Sequence, residues 1–302
     1  MIKNFYSNGK LLITGEYGVL DGAISLALPT KLGQSLSITP NTTNTLHWQS
    51  IDYLKTIWFE VTFEINTLAI TATTDQQTAE VLQTMLLEAK KLNPLFLVDQ
   101  AGYRAQTTLD FPRDWGLGSS STLLNNLAEW ASINPYVLLW NSFTGSGYDI
   151  ACAKHNTPIL YQLIHKKPIV TEVAFCPEFS DAIYFVHLNK KQNSREGIAN
   201  YRKANFDRPQ FISEINTLTN AITHCNDLET FKNLISKHET IISKALNLKS
   251  VKSLLFPDYE GAIKSLGAWG GDFILAVGDN NTPSYFKEKG YKTTISYKDM
   301  IL

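Results

Sequence analysis

Phe59-Glu60-Val61-Thr62-Phe63-Glu64-Ile65-Asn66 alternates apolar and polar residues without a break, the period-two signature of a strand with one buried and one wet face. Tyr103, Ala105, Thr107 and Leu109 repeat the pattern. Between them Leu82, Met85, Leu86 and Ala89 fall at helical spacing, which predicts a helix from about Asp75 to Leu92 joining two strands. Mixed α and β structure follows from this stretch alone.

Working towards the N-terminus, Lys10 to Thr14 is a short apolar run closed by Gly15 and reads as a buried strand entering a turn. Towards the C-terminus, Ile183 to His187 reads as a further strand, and the connection before it places a domain boundary near 175–181. Phe231, Leu234, Ile235, His238, Ile241, Ile242 and Ala245 mark one face of a long helix that Asp227 is suited to cap, with His238 at the margin of the stripe. Phe273 to Val277 and Thr293 to Ser296 read as the last strands. The expected division is 1–178 and 179–302.

Composition narrows the function classes. The 302 residues carry a formal net charge of −1, and no basic stripe with interleaved aromatics stands out, so nucleic acid is not an expected partner. No run approaches the length needed to span a bilayer, and Met1 to Tyr6 leads into no apolar stretch of signal-peptide length, so no membrane contact and a cytoplasmic protein are expected. Cys152, Cys176 and Cys225 are far apart and odd in number, which fits reduced thiols better than a disulfide frame or a zinc site.

Four short segments carry chemistry. In Trp115-Gly116-Leu117-Gly118-Ser119-Ser120-Ser121-Thr122 a glycine turn opens onto an amphipathic helix, where the unpaired N–H groups of a first helical turn point at an anion and serine hydroxyls add hydrogen bonds or reach a phosphate-bound magnesium ion. The same residues fit a loop ending in a serine N-cap. Gly145-Ser146-Gly147-Tyr148-Asp149 displays a carboxylate on a glycine-bracketed turn, able to orient or deprotonate an acceptor, or simply to cap a helix. Gly9-Lys10 heads the first strand and Gly15-Glu16-Tyr17 follows it; Lys10 is either a charge partner for Asp149 or a solvated edge lysine. Gly267-Ala268-Trp269-Gly270-Gly271-Asp272-Phe273 brings backbone close to a ligand or makes a tight turn.

In this order and spacing the four segments resemble the motifs of the GHMP kinases, the family of galactokinase, homoserine kinase, mevalonate kinase and phosphomevalonate kinase, and the resemblance spans residues 9–273. Gly15-Glu16-Tyr17 and Gly270-Gly271-Asp272 are closest to the phosphomevalonate kinase branch. The resemblance implies an α+β, two-domain fold: an N-terminal α/β domain with a left-handed crossover and a C-terminal ferredoxin-like domain. It implies ATP and Mg²⁺ as cofactors and a small-molecule phosphoryl acceptor, with mevalonate- or phosphomevalonate-like acids first. Residue by residue, it makes Asp149 and Lys10 catalytic. Gly116, Leu117, Gly118, Ser119, Ser120 and Ser121 would wrap the triphosphate, with Gly270 and Gly271 in support and Ser120 at the metal. Glu16 and Tyr17 would lie on the acceptor side. Lys190, Lys191 and Arg195 either hold an anionic acceptor or belong to a solvated loop. A monomer or homodimer is expected.

The chain also departs from the family pattern. Tyr136 to Phe143 has no carboxylate where mevalonate kinases place a magnesium-binding glutamate, the matching position being near Leu138, and Trp115 and Trp269 interrupt two glycine motifs. A catalytically silent binding protein of the same fold, and behind it a diphosphomevalonate decarboxylase, are the alternatives.

Overall fold

A computed structural model describes residues 2–98 and 102–302. In chain order the strands are β1 Lys3–Leu12, β2 Ser25–Asn41, β3 Thr45–Ile51, β4 Ile57–Glu64, β5 Ile70–Thr73, β6 Gly102–Leu109, β7 Ile159–Ile164, β8 Lys167–Glu172, β9 Ile183–His187, β10 Ala262–Ser265, β11 Phe273–Val277 and β12 Thr294–Ser296. The helices are α1 Gln76–Leu92, α2 Ser119–Ala131, α3 Pro135–Ser142, α4 Tyr148–Lys154, α5 Ser194–Lys203, α6 Arg208–Thr223, α7 Leu228–Leu246, α8 Val251–Leu255, α9 Thr282–Glu288 and α10 Tyr297–Met300. Among the described residues no helix is long and apolar enough to cross a membrane.

The chain forms two compact units that interleave in sequence. The first comprises residues 1–9, 32–113 and 117–154, the second 10–31, 114–116 and 155–302. Position 178/179 lies inside the second unit, in the connection between β8 and β9.

In the first unit the strands run in the order β5-β4-β3-β6-β2. All neighbours are antiparallel except β3 and β6, which pair in parallel. A parallel pair needs a crossover, and β4, β5 and α1 supply it. Asp75 caps α1, its carboxylate accepting the Thr78 N–H at 2.6 Å. The inward residues of the opening alternation, Phe59, Val61 and Phe63, pack with Trp48 and Leu46 against Leu82, Met85, Leu86 and Ala89 of α1 and Leu124, Leu127 and Ala128 of α2. Fully burying each large side chain contributes roughly 1.5–3 kcal/mol.

β1 begins seven residues before the expected Lys10 and ends at Leu12. Its early part escapes a hydrophobic reading because its buried positions are polar. Ser7 donates to Asn126 Oδ1 at 2.8 Å and accepts from Asn125 Nδ2 at 2.9 Å, and Asn126 Nδ2 donates to the Gln34 carbonyl at 2.9 Å. Thr122 donates to Gln34 Oε1 at 2.7 Å. These amides fasten α2, the helix that follows the glycine turn, to β1 and β2 of its own unit.

In the second unit β9, β10, β11 and β12 form an antiparallel sheet in the order β10-β11-β9-β12. Numbered from one within this sheet the order is 2-3-1-4, with helices between strands one and two and between strands three and four, which is the ferredoxin-like arrangement. Strand bounds 183–187 and 273–277 match expectation, as does the Asp227 cap, whose carboxylate accepts the Thr230 N–H at 2.7 Å. The first part of β2 pairs with β7, and β7 with β8.

Replacing Asn126 with leucine leaves the buried Ser7 hydroxyl without its acceptor and takes one donor from the Gln34 carbonyl. A loss of about 1–3 kcal/mol per group is expected. It should appear in urea unfolding as a lower midpoint at unchanged slope.

Candidate functional site

The first unit holds the serine-rich half of the second motif and the aspartate motif. Gly118 has φ +88 and turns the chain into α2, so Ser119, Ser120 and Ser121 form the first helical turn, and the Ser121 and Thr122 N–H groups both close onto the Gly118 carbonyl at 3.0 Å. Ser120 is exposed; Ser119 and Ser121 are half-buried. Leu117, expected to help wrap a nucleotide, is wholly buried, so only its backbone remains available there. Gly147 has φ +89 and places Asp149 in the first turn of α4 rather than at a cap. Ser121 Oγ donates to Asp149 Oδ2 at 3.3 Å, so two of the sequence motifs meet. α3 packs Leu138 into the core and presents no carboxylate, and among the described residues no cluster of three or more His, Cys, Asp or Glu could hold a metal ion. Asp149 and its neighbouring serines still fit a magnesium ion held mainly by phosphate oxygens, which needs only one or two protein carboxylates.

The second unit gathers the other motifs. Lys10 Nζ donates to the Gly116 carbonyl at 2.9 Å. Gly116 has φ +65, and a Cβ placed on it would stand 2.5 Å from the carboxylate of Asp272, so no other residue fits that backbone. Asp272 accepts the Gln192 N–H at 3.1 Å and donates its own N–H to the Lys190 carbonyl at 2.7 Å. Burial raises its carboxyl above the ordinary range, and the opposing pull of Lys10 and Lys191 does not reverse that. Trp115 meets Phe273 edge to face at 5.4 Å. Lys10, the Trp115-Gly116 turn, Asp272 and the 190–192 segment therefore form one cluster. Sequence reasoning placed Asp272 in the third motif but assigned it no role, although it stands directly after the glycine pair.

The remaining expected residues divide. Gly270 has φ +96 and open space where a side chain would be, whereas a Cβ on Gly271 would stand 2.7 Å from Gln192 Cβ, so that glycine serves packing within the unit. Trp269 fills the core beside Tyr17, Tyr201 and Phe211. Arg195 is exposed in the first turn of α5, an unanticipated helix capped by Asn193. Tyr17 is buried and stacks on Tyr201 at 5.5 Å.

Glu16 is enclosed with a set of charges that the sequence did not disclose. It has no solvent exposure and forms an ion pair with the equally buried Lys264, which also donates to the Ser265 carbonyl at 2.8 Å and lies 3.7 Å from Glu239. Glu239 accepts from Ser265 N at 2.9 Å and Oγ at 3.1 Å. His238 is fully buried rather than at the margin of its helix stripe, because its Nε2 accepts the Gly15 N–H at 3.1 Å. That nitrogen carries no proton, in keeping with burial and Lys264 holding His238 well below its usual value. Burial likewise raises Glu16, and raises Glu239 to about 7.

No protein-family model and no curated protein matches the chain. Solved structures do. Methanococcus jannaschii mevalonate kinase superposes with a TM-score of 0.69 at 14% identity, covering 97% of this chain and 96% of that one. Streptococcus pneumoniae phosphomevalonate kinase, in complex with phosphomevalonate and AMPPNP, gives 0.69 at 16% identity over 97% and 99%. Lactococcus lactis galactokinase, complexed with galactose, gives 0.68 at 13% identity over 95% and 88%. The chain has the GHMP kinase fold. Its two sheets and its nearly full-length overlap agree with the expected two-part α+β architecture, and the motif segments stand on that fold at strand ends and helix starts.

Two outcomes follow. Gly116→Ala forces a side chain both into the left-handed region and onto Asp272, and should lower the melting temperature while detaching Lys10 from its carbonyl; a crystal structure showing Lys10 and Asp272 unmoved would contradict the constraint. For Glu239 the folded pKa of about 7 exceeds the reference 4.5, so the folded state binds more protons between those values. The stabilising contribution is full below 4.5 and is lost as pH rises towards 7. Denaturant unfolding across that window should show Glu239→Gln lacking part of the wild-type decline.

Proposed function

We propose that the chain is an ATP-dependent small-molecule kinase that transfers the γ-phosphoryl group to a hydroxyl or phosphate of an acidic acceptor, mevalonate- or phosphomevalonate-like. The observation that carries this reading is the Ser121–Asp149 hydrogen bond, which joins a glycine-led helix start suited to phosphate to a half-buried carboxylate suited to the acceptor.

In this reading the Gly118 turn and the first turn of α2 cradle the triphosphate. Asp149 and Ser120 would hold magnesium, which when bound neutralises charge on the phosphate oxygens. Asp149 orients the acceptor hydroxyl and takes its proton as the acceptor oxygen bonds to the γ-phosphorus and the bond to the β-phosphate oxygen breaks. Lys10 supplies compensating positive charge, its ammonium fixed by the Gly116 carbonyl. Lys190, Lys191 and Arg195 favour an anionic acceptor over a neutral sugar. Glu16 contributes from the core and not by touching substrate, since it has no solvent exposure and its Oε1 pairs with Lys264.

The test is ATP consumption with magnesium against mevalonate, phosphomevalonate, homoserine and sugars. Turnover with an anionic acceptor is expected. Asp149→Asn should reduce kcat by roughly 10²–10⁴-fold. Wild-type turnover in that variant would remove Asp149 from the chemistry. ATP binding without turnover on any acceptor would favour the silent binding protein.

A further inference from the structure

Glu16, Tyr17 and Gly18 form a turn of an uncommon kind. The Gly18 N–H donates to the Glu16 carbonyl at 2.6 Å across Tyr17, whose backbone stands at φ 60 and ψ −42. A three-residue turn with positive φ at its centre is the strained form of the γ-turn. A tyrosine stays there only where its surroundings over-determine it. The surroundings are on both sides. Beneath the turn, His238 accepts the Gly15 N–H and Lys264 grips Glu16 in the core. Above it, the Tyr17 ring stacks on Tyr201 of α5 with planes 17° apart, and its hydroxyl lies 2.5 Å from where a Cβ on Gly197 would be. The same helix is tied to Asp21, just past the turn, by Arg202 and by the Tyr201 hydroxyl at 2.7 Å.

We infer that Lys264 and His238 are positioning residues for the acceptor side: they hold the strained Tyr17 turn, and through Tyr17 they dock α5, the helix that presents Arg195. This rests on the kinase reading above and deepens it. The chain of contacts runs from Lys264 to Glu16, across Tyr17 to Gly197 and Tyr201, and along α5 to its first turn. A charge pair is suited to the task because it fixes both position and direction of the turn, where an apolar contact would let it slide. A Cβ at 197 would stand 2.5 Å from the Tyr17 hydroxyl and 3.2 Å from its ring, which accounts for a weak helix former inside α5.

The test uses full-length protein. Lys264→Met alone leaves an unpaired buried carboxylate, so it is made together with Glu16→Gln; Gly197→Ala is the second variant and leaves the charge cluster intact. In each, KM for the acceptor should rise by about tenfold to a hundredfold with KM for ATP unchanged, the scale expected of a small misplacement at a binding group. Hydrogen exchange without substrate should show loss of protection in the amides of α5. Folded variants with wild-type acceptor KM and wild-type protection of α5 would overturn the inference. Should the wild-type protein turn over no acceptor, the kinase reading is what fails, and the exchange measurement alone decides whether Lys264 and Tyr17 dock α5.

Discussion

The second unit is organised around a missing side chain. The space beside the α-carbon of Gly116 is taken by the Asp272 carboxylate, and the carbonyl of the same residue receives Lys10. One position in the chain thus fixes a cation from the first strand and an anion from the start of β11 at once. Asp272 in turn holds residues 190–192 by two backbone contacts, so the loop carrying Lys190 and Lys191 is set by the same constraint. The direction of the Asp272 shift shows which effect wins there. Withdrawal from water outweighs the Gln192 hydrogen bond and the attraction of Lys10, Lys191 and His187.

Each unit also carries a buried polar cluster, and the two are built differently. In the first unit Ser7, Gln34, Thr122, Asn125 and Asn126 are neutral, and exchanging water for such partners costs little once every donor has an acceptor. Around Glu16 the groups are ionisable, and a buried ion pair can cost more in desolvation than it returns. Removing one partner of such a pair typically costs 3–5 kcal/mol, about as much as losing a large core side chain. A chain that keeps an arrangement of this kind beneath a strained turn is spending stability on a fixed conformation.

The sequence was readable where structure depends on periodicity or on local capping. Strands β4, β6, β9 and β11, helices α1 and α7 and the cap Asp227 come from patterns within a few residues of one another. It was opaque where a residue's surroundings come from far along the chain. The early half of β1 is polar because Asn125 and Asn126 await it, Glu16 is a core residue because Lys264 lies 248 positions away, and Gly271 is glycine because of Gln192. α5 was invisible because only Tyr201 in it is fully buried, leaving little apolar stripe to detect. The motif residues themselves were visible as types. What the sequence lacked was which of them face one another, and there the structure pairs Ser121 with Asp149 and Lys10 with Gly116.

The proposed choice of acceptor rests on charge more than on shape. Glu16 is neutralised inside the core, so the first-motif turn exposes no carboxylate that would repel an anion. Burial raises the Asp272 carboxyl, and its Oδ1 accepts the Gln192 N–H beside the loop. Lys190, Lys191 and Arg195 are all exposed, and they stand before or within the first turn of α5. Three cations stand against two acids, Asp272 and the exposed Glu196 beside Arg195, which leaves a small positive surplus, and exposed charges within a Debye length of about 8–10 Å act together on an approaching ligand. A neutral sugar gains nothing from that surplus. A carboxylate or phosphate does, and this is the charge argument behind the proposed acidic acceptor.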